Sequence, residues 1–150
     1  MKICFTASSG GHTEELSQLK ELVKEDDFVI TEKSDFTVVD WCEKVYFVSQ
    51  INRKEILFIP KFLILFIKSL CIFIKEKPDC IISTGALATV PVCIWAKLMR
   101  KKIIYIESFA RVDEGSLTGK IMYKIADLFI VQWEDMLKVF PDATYGGGIF

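Results

Sequence analysis

Along this chain, short runs that are apolar throughout alternate with longer segments in which apolar residues recur every three or four positions. The first kind predicts strands over Ile3–Ala7, Phe28–Thr31, Val45–Val48, Cys80–Ser83, Ile103–Glu107 and Leu128–Val131. The second predicts helices near Thr13–Val23, Pro60–Lys75, Ala88–Met99, Leu117–Ile125 and Trp133–Val139. Strands apolar on both faces and separated by helix-length segments belong to a parallel sheet covered on both sides. The expected fold class is therefore α/β, a Rossmann-like parallel sheet with helices on both faces. No repeat, linker or low-complexity stretch interrupts the pattern, so residues 1–150 are expected to form one domain.

One segment departs from the alternation. From Ile56 to Ile74 the chain reads ILFIPKFLILFIKSLCIFI, closed by Lys75-Glu76-Lys77. A bilayer span takes about 20 apolar residues, and Pro60, Lys61 and Lys68 argue against one here. The segment predicts a helix with Pro60 in its first turn and an almost wholly apolar circumference. Two readings follow: a face on an anionic membrane surface, presenting Phe62, Phe66, Lys68 and Phe73, or a buried helix whose lysines snorkel outward.

Composition adds exclusions. Lys and Arg number 19 against 20 Asp and Glu, so no overall field points to nucleic acid. The 5 cysteines are scattered through apolar runs without a CxxC pair, which reads as reduced core thiols, neither a disulfide frame nor a metal site. The N-terminus enters a strand with no signal-peptide pattern, so a cytoplasmic location is expected.

In an open parallel sheet, ligands bind beyond the carboxyl ends of the strands. Three of those ends carry chemistry. Ser8-Ser9-Gly10-Gly11-His12 follows the first predicted strand, Ser83-Thr84-Gly85-Ala86 the fourth, and Glu107-Ser108-Phe109-Ala110-Arg111 the fifth. Glycines at the first two ends allow close backbone approach, and helix-opening amides favour an anion, so phosphate binding is expected at Ser9, Gly10, Gly11, Thr84, Gly85 and Ala86; Ser108 and Arg111 of the third end are added as candidate acceptor or phosphate contacts. The loop is neither GxGxxG nor a P-loop, since no GK[ST] follows. His12, the only histidine, is either a helix cap or packing residue or, beside a phosphate site, a neutral general base or a cation paired with the phosphate.

The segments SSGGHTEEL, KPDCIISTGALATVPV, IIYIESFARVDEGSLTGKIMYKIADLFIVQW and FPDATYGGGIF resemble the capsule and exopolysaccharide glycosyltransferase accessory proteins of bacteria. Those are related to the membrane-anchor subunit of the eukaryotic two-part N-acetylglucosaminyltransferase of dolichol-linked oligosaccharide synthesis. More distantly, the chain resembles the N-terminal half of MurG, a GT-B enzyme. The resemblance implies the acceptor half of a GT-B glycosyltransferase. A separate donor-binding subunit would complete a heterodimer that moves galactose or N-acetylglucosamine from a UDP-sugar onto a lipid-diphosphate-linked saccharide. It also implies peripheral attachment at the inner face of the cell membrane, inactivity of the chain alone, and no cofactor or metal. Two departures stand out: the glycine loop opens Ala7-Ser8-Ser9, and Ile106 precedes Glu107 where MurG-like halves carry histidine.

Inverting transfer needs a base for the acceptor hydroxyl. His12 and Glu107 are the candidates on this chain, and a base from the partner is the third option. Arg111 and Lys120 either neutralise acceptor phosphate or pair with Asp113 or Glu114. The closing GGGIF is read as a flexible triglycine that lets Ile149 and Phe150 dock on the donor subunit, against the alternative that they fold back on their own domain. Rival readings are a self-sufficient flavin- or nucleotide-binding module and a non-catalytic activator.

Overall fold

The structure is a computed structural model and describes residues 1–35 and 37–149. Seven parallel strands form one sheet in the order β3-β2-β1-β4-β5-β6-β7. They are β1 (Ile3–Ala7), β2 (Phe28–Glu32), β3 (Val45–Val48), β4 (Cys80–Gly85), β5 (Lys102–Ile106), β6 (Leu128–Val131) and β7 (Thr144–Tyr145). The α-helices are α1 (Gly11–Ser17), α2 (Phe58–Glu76), α3 (Val90–Leu98) and α4 (Leu117–Met122). The chain leaves β1 toward one edge of the sheet and β4 toward the other. The crevice where such an order reverses is where ligands of open α/β sheets bind, and here it lies between the ends of β1 and β4.

Because side chains alternate across a strand, β1 feeds two cores. Cys4 joins Leu65, Phe73 and Val92 from α2 and α3, whereas Ile3 and Phe5 join Leu16 from α1 on the opposite face. Aspartates pin the amino ends of the strands. Asp27 accepts from the Ile3 amide at 2.7 Å and Asp127 from the Ile103 amide at 2.9 Å, which leaves the carboxyl ends for the site.

Except for α2, which runs longer than Pro60–Lys75 at both ends, the helices are shorter than the periodicity predicts. After Ser17 the backbone tightens to bonds three residues back, Leu19 to Leu16 and Leu22 to Leu19, and the Ser17 hydroxyl donates to the Glu14 carbonyl at 2.7 Å. The last predicted helix is a 3-10 turn, Glu134–Lys138, and the two-residue β7, with both side chains exposed, carries no periodic signal. No helix among the described residues is long and apolar enough to cross a membrane.

Glu76, at the end of α2, is buried and accepts from the Lys2 ammonium, the Tyr46 hydroxyl and the Lys44 ammonium, joining α2 to β1 and β3. Desolvation opposes its charge, yet these hydrogen bonds outweigh it and hold the carboxyl down to about 2. A depressed folded value stabilises the fold above the unfolded carboxylate range and is lost as pH falls from about 4.5 toward 2. Wild type is expected to lose on the order of 3 kcal/mol more than Glu76→Gln across that window, measured by denaturant unfolding. Parallel acid curves for the two proteins would show that Glu76 is not the stabilising group.

Candidate functional site

A cleft of about 820 Å³ opens over the carboxyl ends of the strands, walled by the loops after β1, β4 and β5, by residues 50–55 ahead of α2 and by the start of α4. His12 stands at the switch point, its side chain 30% exposed on the cleft wall. Its Nδ1 lies 2.9 Å from the Thr84 carbonyl, and the Thr84 hydroxyl donates back to the His12 carbonyl at 2.7 Å. A carbonyl only accepts, so Nδ1 carries the hydrogen of the neutral ring and Nε2 keeps the free lone pair. In this tautomer the ring can accept a hydrogen bond only at Nε2.

Gly85 makes room for it. With φ at +112° it lies in a region that side chains avoid, and a Cβ there would come within 3.3 Å of His12 Cε1 and 3.0 Å of the Tyr105 hydroxyl. Ala86, on the cleft wall, has φ 70° and ψ 162°, a conformation normally left to glycine. It is held because its carbonyl accepts from Thr89 Oγ1 at 2.9 Å, and Thr89 is itself bonded to Ser83 Oγ at 3.0 Å.

The expected phosphate residues divide in two. Ala86, Ser108 and Arg111 line the cleft; Ser9, Gly10, Gly11, Thr84 and Gly85 do not, and Thr84 and Gly85 instead form the seat of His12. The Ser9 amide is directed at Glu32 Oε2 at 3.4 Å. Gly10 needs its glycine, with φ +82°, and its carbonyl accepts from the Thr13 and Glu14 amides that open α1.

Glu107 departs from its expected role as a base. It is 1% exposed and absent from the cleft wall. Its oxygens accept from the Ser108 amide and from the amide and hydroxyl of Ser116, whose Oγ in turn caps the Gly119 amide at 2.8 Å. A Cβ on Gly119 would collide with Glu107 Oε2, so the carboxylate is built into the start of α4. A base must reach its substrate, and this group is spent on structure.

Two acids that sequence reasoning did not assign to the site matter more. Glu32, 5% exposed, accepts from the Ile51 amide at 2.9 Å as well as from Ser9, tying the His12 loop to the loop ahead of α2. Glu15, in α1, turns its carboxylate toward the underside of His12, with Oε2 4.0 Å from Nδ1. Burial raises its pKa, against the pull of hydrogen bonds from the Phe109 amide and the Ser108 hydroxyl.

The electrostatics of the cleft favour an anion. Its carboxylates are occupied, Glu32 by amides and Glu55 by Lys61, while Arg53, Lys54 and Arg111 line it with no carboxylate partner among the described residues. The pairing of Arg111 with Asp113 or Glu114 does not form there. Sequence alone did not single out Arg53 or Lys54, because nothing in a polar loop marks which end of the sheet it joins.

The outward face of α2 differs from expectation. Phe73 is 2% exposed and belongs to the core, and Phe66 is half-buried with its ring 4.6 Å from Trp95, whose Nε1 donates to the Phe66 carbonyl at 3.0 Å. Phe62 is half-buried beside Phe58, and Lys68 is exposed but donates to the Phe47 carbonyl at 2.7 Å. Phe66 turns inward onto Trp95 of α3, and Phe73 into the core cluster. The exposed stripe is instead Ile56, Ile59, Leu63, Ile67 and Ile74, with Leu57 and Ile64 beside it. Its first residues adjoin Arg53 and Lys54 of the cleft rim.

The tail also departs from expectation. Ile149 is half-buried against the core cluster that contains Ile106, and its amide donates to Gln132 Oε1 at 3.0 Å. Packing on its own domain, Ile149 is not presented as a free docking residue; Phe150 lies outside the described residues.

A family model described as oligosaccharide biosynthesis protein Alg14 like matches residues 43–149. Thr84, Ser108 and Arg111 fall within that match, and His12 and Glu15 precede it. Among curated proteins, the UDP-N-acetylglucosamine transferase subunit ALG14 of Rattus norvegicus is 40% identical over 81 residues, 50% of this chain and 38% of that protein. The namesake from Candida albicans is 35% identical over 103 residues, 65% of this chain and 47% of that protein. The chain thus matches less than half the length of these relatives. Among solved structures, Acinetobacter baumannii MurG superposes with a TM-score of 0.69 at 15% identity, covering 90% of this chain and 43% of MurG. UDP-N-acetylglucosamine 2-epimerase from Rickettsia bellii gives 0.71 at 15% identity, covering 99% of this chain and 45% of the enzyme. The fold is that of the Rossmann-like N-terminal half of GT-B enzymes.

Proposed function

Because this chain belongs to the Alg14-like family of oligosaccharide biosynthesis proteins, we propose that it is the acceptor-binding, membrane-recruiting subunit of a two-part inverting UDP-sugar transferase. The donor sugar is N-acetylglucosamine, following the names its relatives carry. Galactose and a capsule or exopolysaccharide setting, both admitted by the sequence reading, draw no support from those relatives. The observation that carries the reading is the constellation at the switch point: a histidine with its Nδ1 spent on Thr84 and its Nε2 free, on a cleft whose unpaired charges are cations.

In this account residues 1–150 act as one acceptor domain, and the donor nucleotide is held by a partner subunit. Arg53, Lys54 and Arg111 attract the diphosphate of a lipid-linked saccharide and hold its sugar toward His12. Nε2 takes the proton of the acceptor hydroxyl while its oxygen attacks the anomeric carbon and UDP departs. Transfer from UDP-N-acetylglucosamine to polyprenyl-diphosphate-linked N-acetylglucosamine by the reconstituted pair tests the reading, and a pair that performs no transfer overturns it.

The exposed face of α2 lies on the cytoplasmic face of the membrane and brings the cleft rim to the lipid headgroups. Ile64 and Ile67 are 63% and 62% exposed, so replacing both by glutamate leaves the core intact. The double variant is expected to bind anionic phospholipid vesicles at least tenfold more weakly at unchanged melting temperature, measured by co-sedimentation. Equal binding by the folded variant would reject this face.

A further inference from the structure

The two oxygens of Glu15 are treated unequally. The residue is 4% exposed, and Oε1 accepts from Ser108 Oγ at 2.9 Å and from the Phe109 amide at 2.8 Å, which anchors the carboxylate to the loop after β5. Oε2 is buried and accepts no hydrogen bond from any described residue. A buried carboxylate oxygen left without a donor is costly, and folds retain such groups where they do something. The group nearest to it that can become a cation is His12, whose Nδ1 is 4.0 Å away. Nδ1 therefore faces a carbonyl, Thr84, and a carboxylate, Glu15, while the side chain, 30% exposed, lines the cleft.

We propose that Glu15 is the positioning carboxylate of His12. It steadies the neutral ring with hydrogen on Nδ1, and it offsets the positive charge that appears when Nε2 takes a proton. The inference rests on His12 serving as the base. In that step the acceptor O–H bond breaks with its proton passing to Nε2, and the oxygen's electron pair forms the bond to the anomeric carbon. The bond from that carbon to UDP breaks, and its electrons leave on the diphosphate. Glu15 keeps its own protonation throughout and touches no reacting atom, so its effect is wholly through the imidazole.

Glu15→Gln keeps the shape and an acceptor for Ser108 and Phe109 while removing the charge. In the reconstituted enzyme, with UDP-N-acetylglucosamine and polyprenyl-diphosphate-linked N-acetylglucosamine, it is expected to lower kcat about 10- to 100-fold with acceptor KM within about twofold. In a His12→Ala background the same change is expected to cost nothing further, because the partner through which it acts is gone. Glu15→Asp, which keeps the charge on a shorter arm, is expected to fall between wild type and glutamine. An equal loss in both backgrounds, or unfolding of both the glutamine and aspartate variants, would make Glu15 a structural group and overturn the inference. Wild-type kcat in Glu15→Gln beside a large loss in His12→Ala would overturn it while leaving the function proposed above. Wild-type kcat in His12→Ala would instead remove the histidine, and this inference with it.

Discussion

Replacing His12 by alanine is expected to lower turnover of the reconstituted transferase by about two to four orders of magnitude, the range associated with losing a general base. The size of the effect follows from the absence of a substitute. Glu107 has its oxygens committed to Ser108 and Ser116 beneath α4, Glu15 is held behind the cleft wall by Ser108 and the Phe109 amide, and Glu32, on the wall, is occupied by the Ser9 and Ile51 amides. The fold is expected to tolerate the change, since His12 is partly exposed in the first turn of α1 and its seat is made largely by Thr84 and Gly85. Melting temperature and single-turnover rate measured on the same preparation separate chemistry from unfolding. A variant that is folded and turns over at the wild-type rate would return His12 to the role of a helix-opening residue.

The strands were legible in the sequence because a buried parallel strand must be apolar on both faces, and β1 and β4 are. β7 was not, since Thr144 and Tyr145 have exposed side chains and owe their place to backbone pairing with Ile130 and Val131. The place of His12 at the mouth of the sheet was legible from its position after the first predicted strand, whereas its contact with Thr84 was not, since 72 positions separate the two. The burial of Glu15 was not, because an acid near the start of a helix ordinarily faces solvent. Its burial comes from Ser108 and Phe109, over 90 positions away. Glu107 shows the converse, since an acid emerging from a buried strand looks reactive until Ser116 and Gly119 are seen to enclose it. On α2 the apolar residues run nearly all round, so no periodicity distinguishes the face that meets Trp95 from the face left open, and the aromatics were assigned to the wrong side.

The other large effect concerns the division of labour. A GT-B active site lies between two halves, and the fold here is one of them. On the function proposed above, the cleft holds the acceptor and a separate subunit the donor, so the chain alone is expected to show no measurable transfer, and mixing it with that subunit is expected to restore it. Two components that each supply part of one site leave neither with a residual rate, whereas an activator would raise a rate the partner already has. Ligand preference tests this central claim most directly, because it needs no partner and no turnover. With the chain alone on anionic vesicles, titrated separately with polyprenyl-diphosphate-linked N-acetylglucosamine and with UDP-N-acetylglucosamine and followed by thermal shift, the lipid-linked acceptor is expected to stabilise the fold. The nucleotide sugar is expected to leave it unchanged, and replacing Arg53 and Arg111 by alanine is expected to abolish the acceptor's effect. Stabilisation by the nucleotide sugar and none by the acceptor would contradict the account and identify the chain as a nucleotide-binding module.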